Sequence, residues 1–290
     1  MFRIENIEKT YSPLNIFEGL NWKKTPVKVL KKVSFTLEKN RIIALLGCNG
    51  AGKTTLLKIL SGMLLPDGGD VLWDGKKLSE NKEYFASHIG YIGPEDRSFY
   101  WRLTLYENME FFCGFFEGHA DREKILSVFR TLGIDQYRDT PFRMLSAGTK
   151  AKAQLARGLL WSDRFLILDE PFANIDIKSR EEIKGFLKKW ISEGERYMLI
   201  TSHHIDELED WIDEVFVLTD GFIMEPENED VFKKQMVRVE YEEGDSEYLE
   251  YADLIMQGVK FKGRPKKIEI VKEGVTDVIR RLKDGSKKDI

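Results

Sequence analysis

The sequence predicts an α/β fold, with a largely parallel sheet covered by helices. Three observations carry that prediction. Arg41-Ile-Ile-Ala-Leu-Leu46 and Phe165-Leu-Ile-Leu168 are short, continuous apolar runs, the pattern of strands buried on both faces. Segments with apolar residues at helical spacing alternate with such runs, among them Lys53 to Leu60 and Arg180 to Trp190. A glycine-rich turn joins the first run to the first helix. Tyr197-Met-Leu-Ile-Thr201 and Val215-Phe-Val-Leu218 add further strands.

The turn itself is the most specific signal. Gly47-Cys-Asn-Gly-Ala-Gly-Lys-Thr-Thr55 fits G-x-x-x-x-G-K-[ST] at Gly47, Gly52, Lys53 and Thr54. Strand, glycine loop and helix is the order that phosphate binding needs. Glycines let successive backbone N–H groups close around phosphate oxygens. The helix N-terminus adds its positive dipole end. Lys53 is expected to reach the β- and γ-phosphates, and the Thr54 hydroxyl to face Mg²⁺. The expected nucleotide set is Gly47, Asn49, Gly50, Ala51, Gly52, Lys53, Thr54 and Thr55. An ordinary glycine turn before a helix is the competing reading. Cys48, inside the loop, is either inert or a thiol whose modification blocks nucleotide binding.

The Phe165 run ends in two carboxylates, Asp169 and Glu170. Ligands of open α/β sheets sit at the carboxyl ends of strands. Asp169 is therefore expected near the Mg²⁺, and Glu170 is expected to face an attacking water as general base. Taken alone, the pair is also compatible with a strand ending in exposed acids.

Around this core, Phe2 to Tyr11 and Val29 to Leu37 alternate apolar and polar residues and read as antiparallel strands. Ser12 to Pro26 reads as a loop. Asp67 to Asp70 and Asp74-Gly75 are turn signals flanking a strand at Val71 to Trp73. Leu103 to Leu160 reads mostly helical. The composition shifts near Glu225, where an acidic stretch with Pro226 reads as a linker over 225–235. Residues 236–290 then read as a small α+β domain. Its strands fall at Met236 to Tyr241 and Lys267 to Val271, its helices at Tyr248 to Met256 and Val275 to Leu282.

Bulk properties narrow the class. A formal charge of −4 on 290 residues lacks the basic excess of a nucleic-acid binder. The 2 cysteines, Cys48 and Cys113, stand in unrelated contexts, without disulfide or metal spacing, which suits a reducing cytosol. Phe111 to Phe116 is the most apolar segment, far short of the about 18 residues that span a bilayer. Met1 to Asn6 lacks signal-peptide architecture. The expected place of action at a membrane is through a partner.

Several further segments resemble those of the ATP-binding subunits of ABC transporters. Leu145-Ser-Ala-Gly-Thr149, followed by a helix, is similar to that family's signature, and it precedes the Asp169-Glu170 strand as in the family. Asn174-Ile-Asp176 resembles the loop after the catalytic glutamate, and Thr201-Ser-His203 the segment of the switch histidine. Tyr11 stands where these proteins stack an aromatic ring on adenine. Ser162 and Asp163 fit the short turn before the Phe165 strand. The resemblance runs from about Phe2 to Met224 and implies a P-loop NTPase core. It further implies an antiparallel β subdomain and a helical subdomain over about 95–160, in an ATP-binding domain of 1–224.

The resemblance also implies a mechanism. Two ATP molecules are sandwiched between two such domains. Ser146, Ala147 and Gly148 then face the γ-phosphate of ATP bound to the other subunit. Glu170 and His203 are the implied catalytic pair, Asp176 belongs to the dimer loop, and His204 has no catalytic role. Thr54 and Asp169 hold Mg²⁺. The implied partners are an integral-membrane subunit at the cytoplasmic face and a second ATP-binding subunit, the same or a paralogue, with no nucleic acid.

The pattern departs from the family in three places. Ala147 replaces the first signature glycine, and Thr149 the usual glutamine. Glu95 stands where a metal-contacting glutamine is usual, with Asp96 as a shifted alternative. Next to it, Phe99-Tyr-Trp101 is either buried core or a docking surface for a helix of the membrane subunit. The stretch from Arg97 to Thr104 resembles exporters of drugs, lipids or polysaccharides more than importers. The alternatives are a soluble ABC ATPase acting on ribosome or DNA, and a small-molecule kinase using the same loop.

Overall fold

The computed structural model describes residues 1–12, 25–47, 50–93, 99–117, 121–162, 164–173, 175–202, 208, 211–224, 236–241, 246–250 and 265–271. Two antiparallel strands, β1 (Phe2–Tyr11) and β2 (Val27–Leu37), come first. β3 (Ile42–Leu46) leads through the glycine loop into α1 (Lys53–Leu60). β4 (Gly68–Trp73) and β5 (Lys76–Lys77) return to the first sheet, in the order β2-β1-β4-β5. α2 (Lys82–His88) then feeds β6 (Ile89–Ile92). The helical region holds α3 (Leu105–Glu117), α4 (Arg122–Leu132) and α5 (Ala147–Trp161). β7 (Phe165–Asp169), α6 (Ile177–Ser192), β8 (Tyr197–Thr201), β9 (Glu214–Thr219) and β10 (Phe222–Met224) complete the main sheet.

The main sheet has the order β10-β9-β3-β8-β7-β6, parallel throughout except for the antiparallel edge strand β10. Its strands feed two cores in alternation, as a period of two requires. Ile42, Ala44 and Leu46 of β3 join Leu166 and Leu168 of β7 in the core under the helical region. Ile43 and Leu45 join Phe165 and Ile167 in the core shared with α1 and the antiparallel sheet. Burial on both faces explains why these strands read as unbroken apolar runs.

The helical region is pinned at its start. Thr104 and Glu107 form a capping box: the Thr104 N–H donates to Glu107 Oε2 (2.7 Å), and the Glu107 N–H to Thr104 Oγ1 (3.1 Å). Asn108, fully buried, ties down the preceding turn. Its Oδ1 accepts from Tyr100 N (2.8 Å), and its Nδ2 donates to the carbonyls of Tyr100 (3.1 Å) and Thr104 (2.9 Å). The aromatic run divides here. Phe99 stacks on Phe142 in the core at 4.2 Å, whereas Tyr100 and Trp101 are 49% and 57% exposed.

Two local readings change. Gly68 and Gly69, expected in a turn, lie inside β4, where its pairing with β1 shifts register. A helix over Tyr248 to Met256 was expected, but β12 (Ser246–Glu250) occupies its first residues. β12 pairs with β11 (Met236–Tyr241), which pairs in turn with β13 (Pro265–Val271). So short a segment carries no decisive period, and the ladder with β11 sets its conformation. The remainder of that expected helix, the one at Val275 to Leu282, and most of the Ser12 to Pro26 loop lie outside the described residues.

Asn108→Ala removes the side-chain acceptor of the Tyr100 N–H and the bonds that tie the turn to the start of α3. Chemical unfolding of the full chain is expected to register a loss of about 1–3 kcal/mol. An unchanged midpoint would remove Asn108 from this role.

Candidate functional site

The site begins at the N-terminus of α1. Its N-cap is Gly52, in the left-handed region at φ 107°, a conformation that disfavours any side chain. That residue has no side chain to cap the first N–H groups, and the first turn holds no acid. Those donors and the helix dipole therefore face an anion without competition from within the turn. The Lys53 ammonium, almost buried, donates to the Gly47 carbonyl (2.7 Å) and so stays folded over the loop. Tyr11, 45% exposed, brings its hydroxyl within 3.5 Å of Thr55 Oγ1. Gly50 and Ala51 complete the described part of the loop.

Parallel pairing brings the end of β7 to the same place. Asp169, only 3% exposed, pairs in register with Thr201 of β8. Three hydroxyl groups surround its carboxylate. Thr201 donates to Oδ1 (2.7 Å), while Tyr91 (3.1 Å) and Thr54 (3.3 Å) donate to Oδ2. Burial, and then the Asp169 charge, push the Tyr91 phenol well above its ordinary value, so it remains a donor. Glu170 leaves the strand in the left-handed region at φ 56°, uncommon for a residue with a side chain. Its N–H donates to Thr201 Oγ1 (3.0 Å).

The oxygen set at this point fits Mg²⁺. Thr54 and Asp169 supply hard oxygen donors side by side. Among the described residues no group of three or more His, Cys, Asp or Glu gathers into a metal cage. A cation here would share its shell with phosphate and water, which is the habit of Mg²⁺.

A second cluster forms where α5 and α6 begin. Ser146 caps α5, accepting the Thr149 N–H (3.2 Å), and its hydroxyl lies 2.9 Å from that of Thr149. Asp176 caps α6, accepting from both Ser179 N (2.9 Å) and Ser179 Oγ (2.7 Å). These bonds hold the Asp176 carboxyl below the usual carboxylate range. Gly148 faces Ser179 so closely that a Cβ would stand 2.1 Å from its Oγ. Ala147 instead is exposed, so a methyl group costs nothing there. The two signature positions thus answer to different constraints. A cleft of about 630 Å³ opens beside them, lined by Arg130, Ser146, Lys152, Lys178 and Glu182.

Asn49, Glu95 and His203 lie outside the described residues, as do Cys48, Asp96, Asp163, Asn174 and His204. Tyr91 and Thr201 were not singled out from sequence. Each is a hydroxyl at or next to the carboxyl end of an apolar strand, a signal visible only once those strands are known to flank Asp169.

Comparison with known proteins adds the family. The ABC transporter family model matches residues 30–173. A lipopolysaccharide export system ATP-binding protein of Haemophilus influenzae is 33% identical over 68% of this chain and 83% of its own length. A phosphonates import ATP-binding protein of Treponema denticola is 26% identical over 77% of this chain and 88% of its own. Among solved structures, a dimeric ATP-binding cassette in a post-hydrolysis state, bound to ADP and Pi, superposes with a TM-score of 0.67. It is 22% identical over 79% of this chain and 99% of that one, a likeness of fold. The chain belongs to the ABC transporter family, as an ATP-binding cassette with ATPase activity.

Proposed function

We propose that this cassette powers export through a separate integral-membrane subunit, at the cytoplasmic face of the membrane, working as one of two cassettes in a dimer. The observation that carries the reading is the meeting of Thr54, in the first turn of α1, with Asp169 and Glu170 at the carboxyl end of β7, beside Thr201 at the end of the neighbouring β8. Residues 1–224 form the ATPase unit, 225–235 the linker and 236–290 an accessory domain.

In this reading the backbone of Gly47 to Gly52 and the Lys53 ammonium hold the β- and γ-phosphates of ATP. Tyr11 stacks on adenine, and Asn49 and Thr55 complete the phosphate contacts. Thr54 and Asp169 hold Mg²⁺, with Glu95 as a further oxygen donor. When bound, Mg²⁺ neutralises phosphate charge. Glu170 accepts a proton from water as the water oxygen bonds to the γ-phosphorus. The bond to the β,γ-bridging oxygen breaks, the proton passes to phosphate, and ADP and inorganic phosphate leave. His203 hydrogen-bonds the γ-phosphate and keeps it in line. The Ser146, Ala147 and Gly148 segment of one cassette closes on the ATP of the other, with Asp176 beside the seam. Closure excludes water and adds donors around the developing charge.

The exposed Tyr100 and Trp101 support a docking face, since aromatic side chains are enriched at interface hot spots. Export rests on the likeness of the Arg97 to Thr104 stretch to exporters, while the relatives include both an export and an import ATP-binding protein. Drugs, lipids and polysaccharides are the cargo classes in view. Affinity purification of the tagged full chain from solubilised native membranes tests the assembly. A stoichiometric multi-span protein is expected; ribosomal proteins or nucleic acid in its place would overturn the transporter reading.

Two variants probe the chemistry. Glu170→Gln is expected to lower kcat by about 100- to 10,000-fold while keeping ATP affinity, and to accumulate as an ATP-bound dimer in sedimentation. Normal turnover would exclude Glu170 as the base. Gly148→Ala is expected to weaken ATP-driven dimerisation about tenfold, because its Cβ displaces the start of α6. Adding Ser179→Gly removes the clash and is expected to recover most of that loss; a dimer constant unaffected by either change would break the link between the two helices.

A further inference from the structure

The established fold explains how Asp169 reaches the site, but it leaves open what fixes the orientation of two neighbouring carboxylates at the end of one strand. The last residue of β8 supplies a physical answer. Thr201 is fully buried and stands directly opposite Asp169 in the parallel register. Its single hydroxyl does two things at once. It donates its proton to Asp169 Oδ1 (2.7 Å) and accepts the backbone N–H of Glu170 (3.0 Å). A hydroxyl is both donor and acceptor, so one oxygen can serve both contacts. No apolar or purely acidic side chain could do so.

The second contact has a particular value. Glu170 turns out of the sheet at φ 56°, a left-handed conformation that costs free energy for an L residue with a Cβ. Leaving the ladder also takes its N–H away from regular strand pairing. A buried N–H without a partner is costly, so the turn is stable only if something meets it. Thr201 Oγ1 meets it, and the same atom locks the carboxylate one residue earlier. Opposite, Tyr91 and Thr54 hold the other carboxylate oxygen, so Asp169 cannot rotate without breaking bonds on both sides.

We propose that Thr201 is a positioning residue for ATP hydrolysis: its buried hydroxyl fixes the Asp169 carboxylate and the strained Glu170 backbone relative to one another. This rests on the reading of Glu170 as the base and Asp169 as a metal-holding carboxylate. Thr201 is fully buried, and it acts through the two residues it joins. Its loss is therefore felt in the reacting geometry and not in the grip on nucleotide, which belongs to the α1 loop.

The experiment compares the full chain with Thr201→Val, which keeps the shape and removes the hydroxyl, and Thr201→Ser, which restores the hydroxyl. Three quantities are read: kcat and KM with Mg²⁺·ATP, affinity for a fluorescent ATP analogue in EDTA, and amide hydrogen exchange at Glu170. Thr201→Val is expected to lower kcat by about 10- to 100-fold, the usual cost of losing a group that orients a reacting residue. KM and metal-free affinity are expected to stay within about twofold, while exchange at Glu170 quickens by about tenfold or more. Thr201→Ser is expected to recover most of kcat and the slow exchange. If Thr201→Val is insoluble, Thr201→Ala is compared with Thr201→Ser in the same way.

Unchanged turnover in the hydroxyl-free variant, with Glu170→Gln inactive, would overturn the positioning role and leave the base assignment intact. An active Glu170→Gln chain would instead remove the base assignment on which the proposal rests. A parallel fall in kcat and metal-free affinity, not repaired by serine, would show a merely structural threonine and also overturn the proposal.

Discussion

The parallel register of β7 against β8, the strand between it and β3, is the constraint on which the rest of the molecule depends. It sets Phe165 opposite Tyr197 at one end and Asp169 opposite Thr201 at the other. A slip of one residue would carry every side chain to the opposite face. Leu166 and Leu168 would leave the core under the helices, and Phe165 and Ile167 the core shared with α1. Both faces are buried, so two cores oppose the slip together. The position of Asp169 is thus fixed by apolar packing far larger than any bond the carboxylate makes itself.

That division of labour recurs through the site. Packing brings the strand ends together, and hydroxyl groups then set directions. Three of them converge on Asp169, a carboxylate almost out of solvent. A buried charge needs several charge-assisted hydrogen bonds to be tolerable, and hydroxyls supply them without adding charge of their own. At α1 the logic is reversed: the helix terminus and Lys53 present positive potential where phosphate would lie.

The second cluster shows how a local departure from a family pattern can be harmless or costly. Ala147 is exposed at the start of α5, where a methyl group is readily accommodated. One residue on, Gly148 abuts Ser179, and the same methyl group would overlap it. Thr149 fits its position by pairing with the hydroxyl of Ser146, the cap of its own helix. The capping of α5 and α6 is therefore one mechanical unit: Ser146 and Asp176 set the two helix starts, and Gly148 sets their distance.

The sequence by itself determined the strand, loop and helix from Arg41 to Leu60 and the Phe165 strand with its two acids. These are local: continuous apolar runs and short polar motifs declare themselves within a few residues. β1, β8 and β11 lie where alternation and apolar runs put them. Only the tertiary structure decided which strands are neighbours, and with that the roles of Tyr91 and Thr201, each a single hydroxyl with no motif around it. It also decided β12, whose five residues have no period strong enough to choose strand over helix until β11 pairs with them. The split of Phe99 from Tyr100 and Trp101 belongs to the same class, because three adjacent aromatic residues look alike until the Asn108 turn sends one inward and two out. Local patterns are set by the chain's own chemistry, whereas neighbourhood is set by packing between segments that the order of residues does not contain.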